Sequence, residues 1–275
     1  MSVVHSLPLQ HLQPCVHWEQ PLGQFGSLFP VFQPIVPLRW TENDEVMYEI
    51  LARLKSCQGW VLPPAEFIGS LIPVTTVDLE ILKMVPEIQA AAPRSTFTIN
   101  TSPASLCNAQ YLERLKSFFC HREIHTGRLV LEVTEDPIDV LTEIKVMDRI
   151  DELREMGVRV ALDDFGSGGN GIARLAAGHF DIVKMAPAMD ICSARGRVII
   201  ENVLNMIEGL AKAGEGDMQL VIEGVETLQH LDQATYINAH YGQGYIISPP
   251  VGEIVDDRKL NERLKWLFAE NVRCC

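Results

Sequence analysis

Residues 129–171 read LVLEVTEDPIDVLTEIKVMDRIDELREMGVRVALDDFGSGGNG. Leu129–Thr134 is short, apolar and β-branched, with one buried-looking acid, Glu132. Asp139–Met156 has the spacing of an amphipathic helix and stops at Gly157. Arg159–Phe165 is a second strand, ending in the pair Asp163–Asp164 and a glycine-rich turn. A strand, a helix and a strand joined by short links form a parallel unit with a crossover helix.

The same rhythm runs outward in both directions. Upstream, strands are expected at Phe29–Leu38, Val46–Leu54 and Thr96–Thr101, with helical spacing over Glu66–Ala91 and Pro103–Phe119. The first two strands leave little room for a crossover helix, so they are expected to form a hairpin. Downstream, strands are expected at Asp181–Ala186, Gln219–Val225 and Gly244–Ser248, with helices at Ile172–Ala177, Arg197–Ala213, Thr227–Tyr236 and Asp257–Glu270. About eight strands alternating with helices suit a TIM-like (β/α)8 barrel of roughly 250 residues. An open doubly wound sheet is the alternative. No composition break divides the chain, so residues 29–275 are read as one domain and residues 1–28 as an N-terminal extension.

The chain has 275 residues, is 47% hydrophobic and 21% charged, and carries a formal net charge of −13. An acidic chain without a long basic run is a poor match for duplex DNA or RNA, which demands a positive face. The seven cysteines lack framework or zinc-type spacing, and the first residues lack a signal peptide's basic start and apolar core. No run of about 18 apolar residues offers a membrane span. These features lead us to expect a cytoplasmic protein with reduced thiols and no membrane insertion.

Barrel enzymes gather reacting groups at the C-terminal ends of their strands. The polar residues at those ends are Glu49, Asn100, Glu132, Asp163 with Asp164, Lys184 and Glu223. One buried acid is most simply a salt-bridged strand residue. Five at corresponding positions repel one another by roughly 4 kcal/mol per close pair at an effective dielectric of about 20. With Lys184 counted, four negative charges remain, which two divalent cations would cancel. Oxygen donors of this kind suit Mg²⁺ or Mn²⁺.

Several segments resemble the EAL-domain family of bacterial phosphodiesterases, which open cyclic di-GMP to linear pGpG. Phe32-Gln33-Pro34-Ile35-Val36 resembles YQPIV, and Glu49-Ile50-Leu51-Ala52-Arg53 falls on the signature EALLR. Ile99-Asn100-Thr101-Ser102, Leu131-Glu132-Val133-Thr134-Glu135 and Asp163-Asp164-Phe165-Gly166-Ser167-Gly168 are similar to INxS, LEITE and DDFGTG. Glu223-Gly224-Val225-Glu226-Thr227 is EGVET, and Gln243-Gly244-Tyr245 is QGY.

The resemblance implies a metal-dependent cyclic-di-GMP phosphodiesterase with two Mg²⁺ or Mn²⁺ ions per site. It implies that Glu49, Asn100, Glu132 and Asp163 hold one ion, and Asp163, Asp164 and Glu223 the other. Lys184, with Glu49 and Asp163, is assigned to catalysis, placing or activating the attacking water. Gln33, Leu51, Arg53 and Gln243 are assigned to substrate, and Glu135 to bracing the loop after Asp164. A homodimer is also implied. Three departures bear on turnover: Ile50 replaces the signature alanine, Ala186 replaces the aspartate of K-x-D, and Gly169-Asn170-Gly171 replaces an aromatic-Ser-Ser segment. A family member that binds cyclic di-GMP or a protein without turnover is the alternative.

Overall fold

A computed structural model describes residues 18–39, 41, 45–134, 138–168, 171–177, 180–255 and 257–271. Among these, ten strands form one sheet: β1 (Gln20–Pro21), β2 (Ser27–Pro37), β3 (Met47–Lys55), β4 (Val61–Leu62), β5 (Thr96–Asn100), β6 (Leu129–Thr134), β7 (Arg159–Phe165), β8 (Ile182–Met185), β9 (Gln219–Ile222) and β10 (Tyr241–Gly242). The order β2-β10-β9-β8-β7-β6-β5-β3 is closed by pairing of β3 with β2, giving an eight-stranded barrel. β1 and β4 extend the rims of β2 and β3.

β2 runs antiparallel to both neighbours, β3 and β10; every other neighbouring pair in the barrel is parallel. The short link from Pro37 to Met47 explains this, because it can return the chain but cannot cross over the sheet. The hairpin expected of the first two strands is present.

The helices are α1 (Pro64–Phe67), α2 (Val74–Ala91), α3 (Pro103–Leu106), α4 (Ala109–Cys120), α5 (Val140–Glu155), α6 (Gly171–Ala177), α7 (Ala194–Ala213), α8 (Leu228–Tyr236) and α9 (Asp257–Asn271). The longer ones bury one stripe against the barrel: Val77, Ile81, Val85 and Ile88 of α2, Val146, Ile150 and Leu153 of α5, and Ile200, Val203, Leu204 and Ile207 of α7. This spacing of three and four residues is the amphipathic pattern visible in the sequence.

Three expectations need correction. Glu66–Ala91 is not one helix, because a turn through Gly69 and Pro73 separates α1 from α2 and closes with an Ile68–Ile72 bridge. Pro103–Phe119 splits into α3 and α4 because Asn108 caps a new helix, its side chain accepting from the Tyr111 amide. The last barrel strand is Tyr241–Gly242, and Gly244–Ser248 is a turn held by the amides of Ile247 and Ser248 on the Gly244 carbonyl. Gly244 lies so close to Val225 that a Cβ would stand 2.2 Å from the Val225 carbonyl oxygen. No other residue fits there.

Candidate functional site

Inside the barrel the pleat sorts side chains into layers. Ile35, Met47, Val130, Ala161, Ile182, Val221 and Tyr241 form a separate apolar cluster. Strand side chains repeat with a period of two, so the next inward layer is two residues further toward the C-terminal mouth. On the parallel strands that step runs from Met47 to Glu49, Val130 to Glu132, Ala161 to Asp163, Ile182 to Lys184 and Val221 to Glu223. After β10 it runs from Tyr241 to Gln243, and on the reversed β2 it goes back from Ile35 to Gln33. Gln33 and Glu49 are register partners, as are Asn100 and Glu132.

Lys184 is the hub. Its Nζ lies 2.7 Å from Glu132 Oε2, 2.7 Å from Glu223 Oε1, 3.0 Å from Asp163 Oδ1 and 3.5 Å from Glu49 Oε2. Both Lys184 and Glu132 are essentially sealed from solvent. Glu49 is held further by Asn100 Nδ2, which donates to Oε1 at 2.9 Å, and Gln243 Nε2, which donates to Oε2 at 2.6 Å. Gln243 also reaches Gln33 Oε1 at 3.3 Å, and Gln33 Nε2 donates to the Ser248 carbonyl at 3.2 Å. The structure thus brings Gln33, Glu49, Asn100, Glu132, Asp163, Lys184, Glu223 and Gln243 into one connected cluster.

The charge in this cluster is out of balance. Burial would drive Lys184 toward neutrality, but Asp163, Glu132, Glu223 and Glu49 hold its pKa well above the usual lysine value. Burial and the neighbouring Glu49 push Glu132 well above the ordinary carboxylate range. Burial chiefly lifts Glu223 to about 7. Burial acts upward on Glu49 too, yet Lys184 and the amides of Gln243 and Asn100 bring it below its ordinary value. One ammonium does not neutralise four carboxylates, and their repulsion adds to burial in making Glu132 and Glu223 retain protons more tightly. Glu132 Oε1 is also buried without a hydrogen-bond partner. An orphaned oxygen, a net negative charge and an all-oxygen donor set fit a hard divalent cation.

A bulge puts Asp163 and Asp164 in different environments. Leu162 pairs with Val183 but Phe165 with Met185, so β7 carries one residue more than β8 across this interval. Asp164 is exposed and has φ of 54°, a left-handed conformation that is costly for a residue with a side chain. Bulges beside active sites re-aim side chains in this way. Gly224, directly after Glu223, has φ of 66° and packs against Pro187.

Leu51 and Arg53 follow Glu49 at the same period, beyond the charged layer. Arg53 donates from Nη1 to the Ala52 carbonyl at 2.8 Å, while its buried Nε has no partner. Two cavities open around this strand. One, of about 360 Å³, is bordered by Leu51, Pro64, Ile81, Asn100 and Ser102; the other, of about 250 Å³, by Gln33, Leu51, Glu223, Gln243 and Tyr245. Ile50 faces away from the mouth into the outer core, and Ala186 is buried just after β8. Glu135 and the pair Gly169-Asn170 lie outside the described residues.

Two supports escaped sequence reasoning. Arg174 on α6 is buried and binds Glu143 of α5 at 2.8 and 3.0 Å, and it also bonds the Thr134 carbonyl. The only sequence signal was an arginine within an apolar helical run. Asp78 on α2 accepts from the Ser102 amide at 2.9 Å and from the Ser102 and Ser105 hydroxyls at 2.7 Å each, anchoring the turn after Asn100. Asp78 lies 24 residues before Ser102, and nothing in the local sequence pairs them.

Solved structures share this architecture. An EAL domain protein of Listeria monocytogenes EGD-e superposes with a TM-score of 0.69 at 22% identity, covering 86% of this chain and 92% of that one. The FimX EAL domain of Pseudomonas aeruginosa, a structure bound to c-di-GMP, gives 0.66 at 20% identity, covering 82% and 91%. The probable cyclic di-GMP phosphodiesterase PdeG of Escherichia coli (strain K12) is 31% identical over 245 residues, 82% of this chain and 45% of that protein. Cyclic di-GMP phosphodiesterase PdeF of the same organism is 28% identical over 239 residues, 82% of this chain and 30% of that one. The chain therefore spans less than half the length of these curated relatives. No helix among the described residues is long and apolar enough to cross a membrane. With the EAL domain family model matching residues 20–250, nearly the whole barrel, the chain belongs to the EAL domain family.

Proposed function

We propose that this protein hydrolyses one phosphodiester bond of cyclic di-GMP, giving linear pGpG, with two Mg²⁺ or Mn²⁺ ions at the mouth of the barrel. The observation that carries this reading is the under-neutralised ring of carboxylates around Lys184. Glu49, Asn100, Glu132 and Asp163 would hold one ion, and Asp163, Asp164 and Glu223 the other. When bound, such a pair supplies Lewis acidity, lowering the pKa of water and neutralising charge on the phosphoryl oxygens.

The chain's own residues perform the remaining tasks. Lys184 Nζ sits among the carboxylates that would hold the ions, within 2.7–3.5 Å of four of them. It acts as a fixed hydrogen-bond donor that orients the nucleophile and stabilises developing charge. Gln243 and Asn100 fix the rotamer of Glu49. Arg53 would turn its guanidinium toward a phosphate, for which its planar donors are suited. Leu51 borders both cavities and offers an apolar surface to a base. An acidic protein can admit an anionic dinucleotide because cations reverse the local field.

A homodimer and a cytoplasmic location belong to the same reading. Val140, Leu141 and Ile144 at the start of α5 and Ile172 of α6 are exposed apolar side chains, and Glu143 ion-pairs with Arg174 between the two helices. An apolar surface of this kind supports pairing of two copies.

The test is chromatography of cyclic di-GMP incubated with purified protein. The reading predicts pGpG with Mg²⁺ or Mn²⁺ and none with a chelator. Glu49→Ala and Asp163→Ala should remove activity while leaving the far-ultraviolet circular dichroism unchanged. Tight nucleotide binding without product under saturating Mn²⁺ would instead identify a receptor.

A further inference from the structure

A group of side chains of types that can ligate a metal lies outside the carboxylate ring. Asp190 and Cys192 sit on the loop between β8 and α7, and His230 is in the first turn of α8. One ligand atom from each of the three lies within 4.8 Å of the other two. Tetrahedral bonds of about 2.0–2.3 Å to zinc place donors roughly 3.3–3.8 Å apart, so modest side-chain rotation closes the set.

The surroundings favour a ligand. Asp190 Oδ1 accepts the Cys192 amide at 2.9 Å, which fixes the turn and leaves its second oxygen for other contacts. The turn is tight, since a Cβ on Gly196 would stand 2.0 Å from the Asp190 carbonyl oxygen. Burial and then the carboxylates of Asp190 and Asp232 raise the Cys192 thiol above its ordinary value, and the same carboxylates attract a cation. His230 Nδ1 faces two main-chain groups: it accepts from the Glu226 amide at 3.2 Å in one tautomer, and in the other its Nδ1–H donates to the Gly224 carbonyl oxygen at 3.1 Å. When Nδ1–H donates there, Nε2 keeps its lone pair, and metal-bound histidines are oriented by such a bond to a carbonyl.

We propose that Asp190, Cys192 and His230 form a binding site for a borderline transition-metal dication, zinc in type. Mixed sulfur, nitrogen and oxygen donors distinguish it from the all-oxygen ring that suits magnesium or manganese. A water completes the coordination, and binding releases the Cys192 thiol proton to solvent. The ion would tie the loop after β8 to the start of α8. Through the His230 bond to Gly224 it also braces the main chain next to Glu223.

Cobalt(II) provides the test, because only a thiolate ligand gives a sulfur-to-cobalt charge-transfer band in the near ultraviolet. Reduced protein in which the six cysteines other than Cys192 are serine should bind one Co²⁺ with this band, and Zn²⁺ but not Mg²⁺ should bleach it. Adding Cys192→Ser should abolish the band, and Asp190→Asn or His230→Gln should weaken Co²⁺ binding at least about tenfold. Circular dichroism checks that each variant is folded. Absence of the band from the folded six-serine protein, or a band unchanged by His230→Gln, would overturn the proposal.

Discussion

Two successive layers inside one barrel contrast sharply. The lower layer, from Ile35 to Tyr241, is an apolar plug. The upper one, two residues along each strand, holds four carboxylates, a lysine and two glutamines, all buried except Glu223, whose side chain is 13% exposed. Backbone geometry is shared, so the difference is side-chain chemistry alone. The plug contributes packing. The charged layer works against stability, because its members are desolvated and its lysine is outnumbered. That is the expected price of a site meant to bind cations.

Substitutions in the two layers should therefore behave differently. The largest effect belongs to Lys184→Met. Removing the hub leaves four buried carboxylates facing one another and should cost about 3–5 kcal/mol in metal-free protein. Denaturant titration should show part of that loss restored by Mn²⁺. Turnover in Mn²⁺ should fall about 10²–10³-fold as a positioned donor is lost.

One layer down, Ile182→Ala should cost about 2–4 kcal/mol through the cavity it leaves. Its loss should appear equally with and without Mn²⁺, and turnover measured well below the melting temperature should stay close to wild type. If Ile182→Ala and Lys184→Met showed the same metal dependence, the distinction between the layers would fail.

A smaller effect follows from Glu223. Its folded pKa of about 7 lies above the ordinary value of 4.5, so the native state binds this proton more tightly than the unfolded chain does. Its stabilising share is complete below about pH 4.5 and is lost as pH rises through 7. Metal-free Glu223→Gln should show a flatter stability profile than wild type across that window. The smallest effect is expected for Ser102→Ala, which removes a cap and one Asp78 hydrogen bond; thermal unfolding should report about 1–2 kcal/mol.

The barrel was legible because its signals are local. Glu132, Asp163, Lys184 and Glu223 stand in short apolar runs, and the period of two assigns them to one face. The antiparallel β2 followed from the brevity of its link to β3. What escaped depends on distant contacts. The Gly244 turn replaces a strand because the Val225 main chain passes beside it, and no local pattern announces that approach. The bulge that separates buried Asp163 from exposed Asp164 is defined by pairing with β8, which the local sequence does not show. Arg174 joins α5 and α6 across a gap in sequence that composition cannot span.

The central claim is that the ring around Lys184 is a cation centre and not merely a buried salt-bridge network. Calorimetric titration of metal-free protein with Mn²⁺ tests it most directly. The account predicts saturable binding that Asp163→Ala removes or weakens at least about tenfold and Ile182→Ala leaves intact. Heat no different from dilution, or binding that survives Asp163→Ala unchanged, would contradict it.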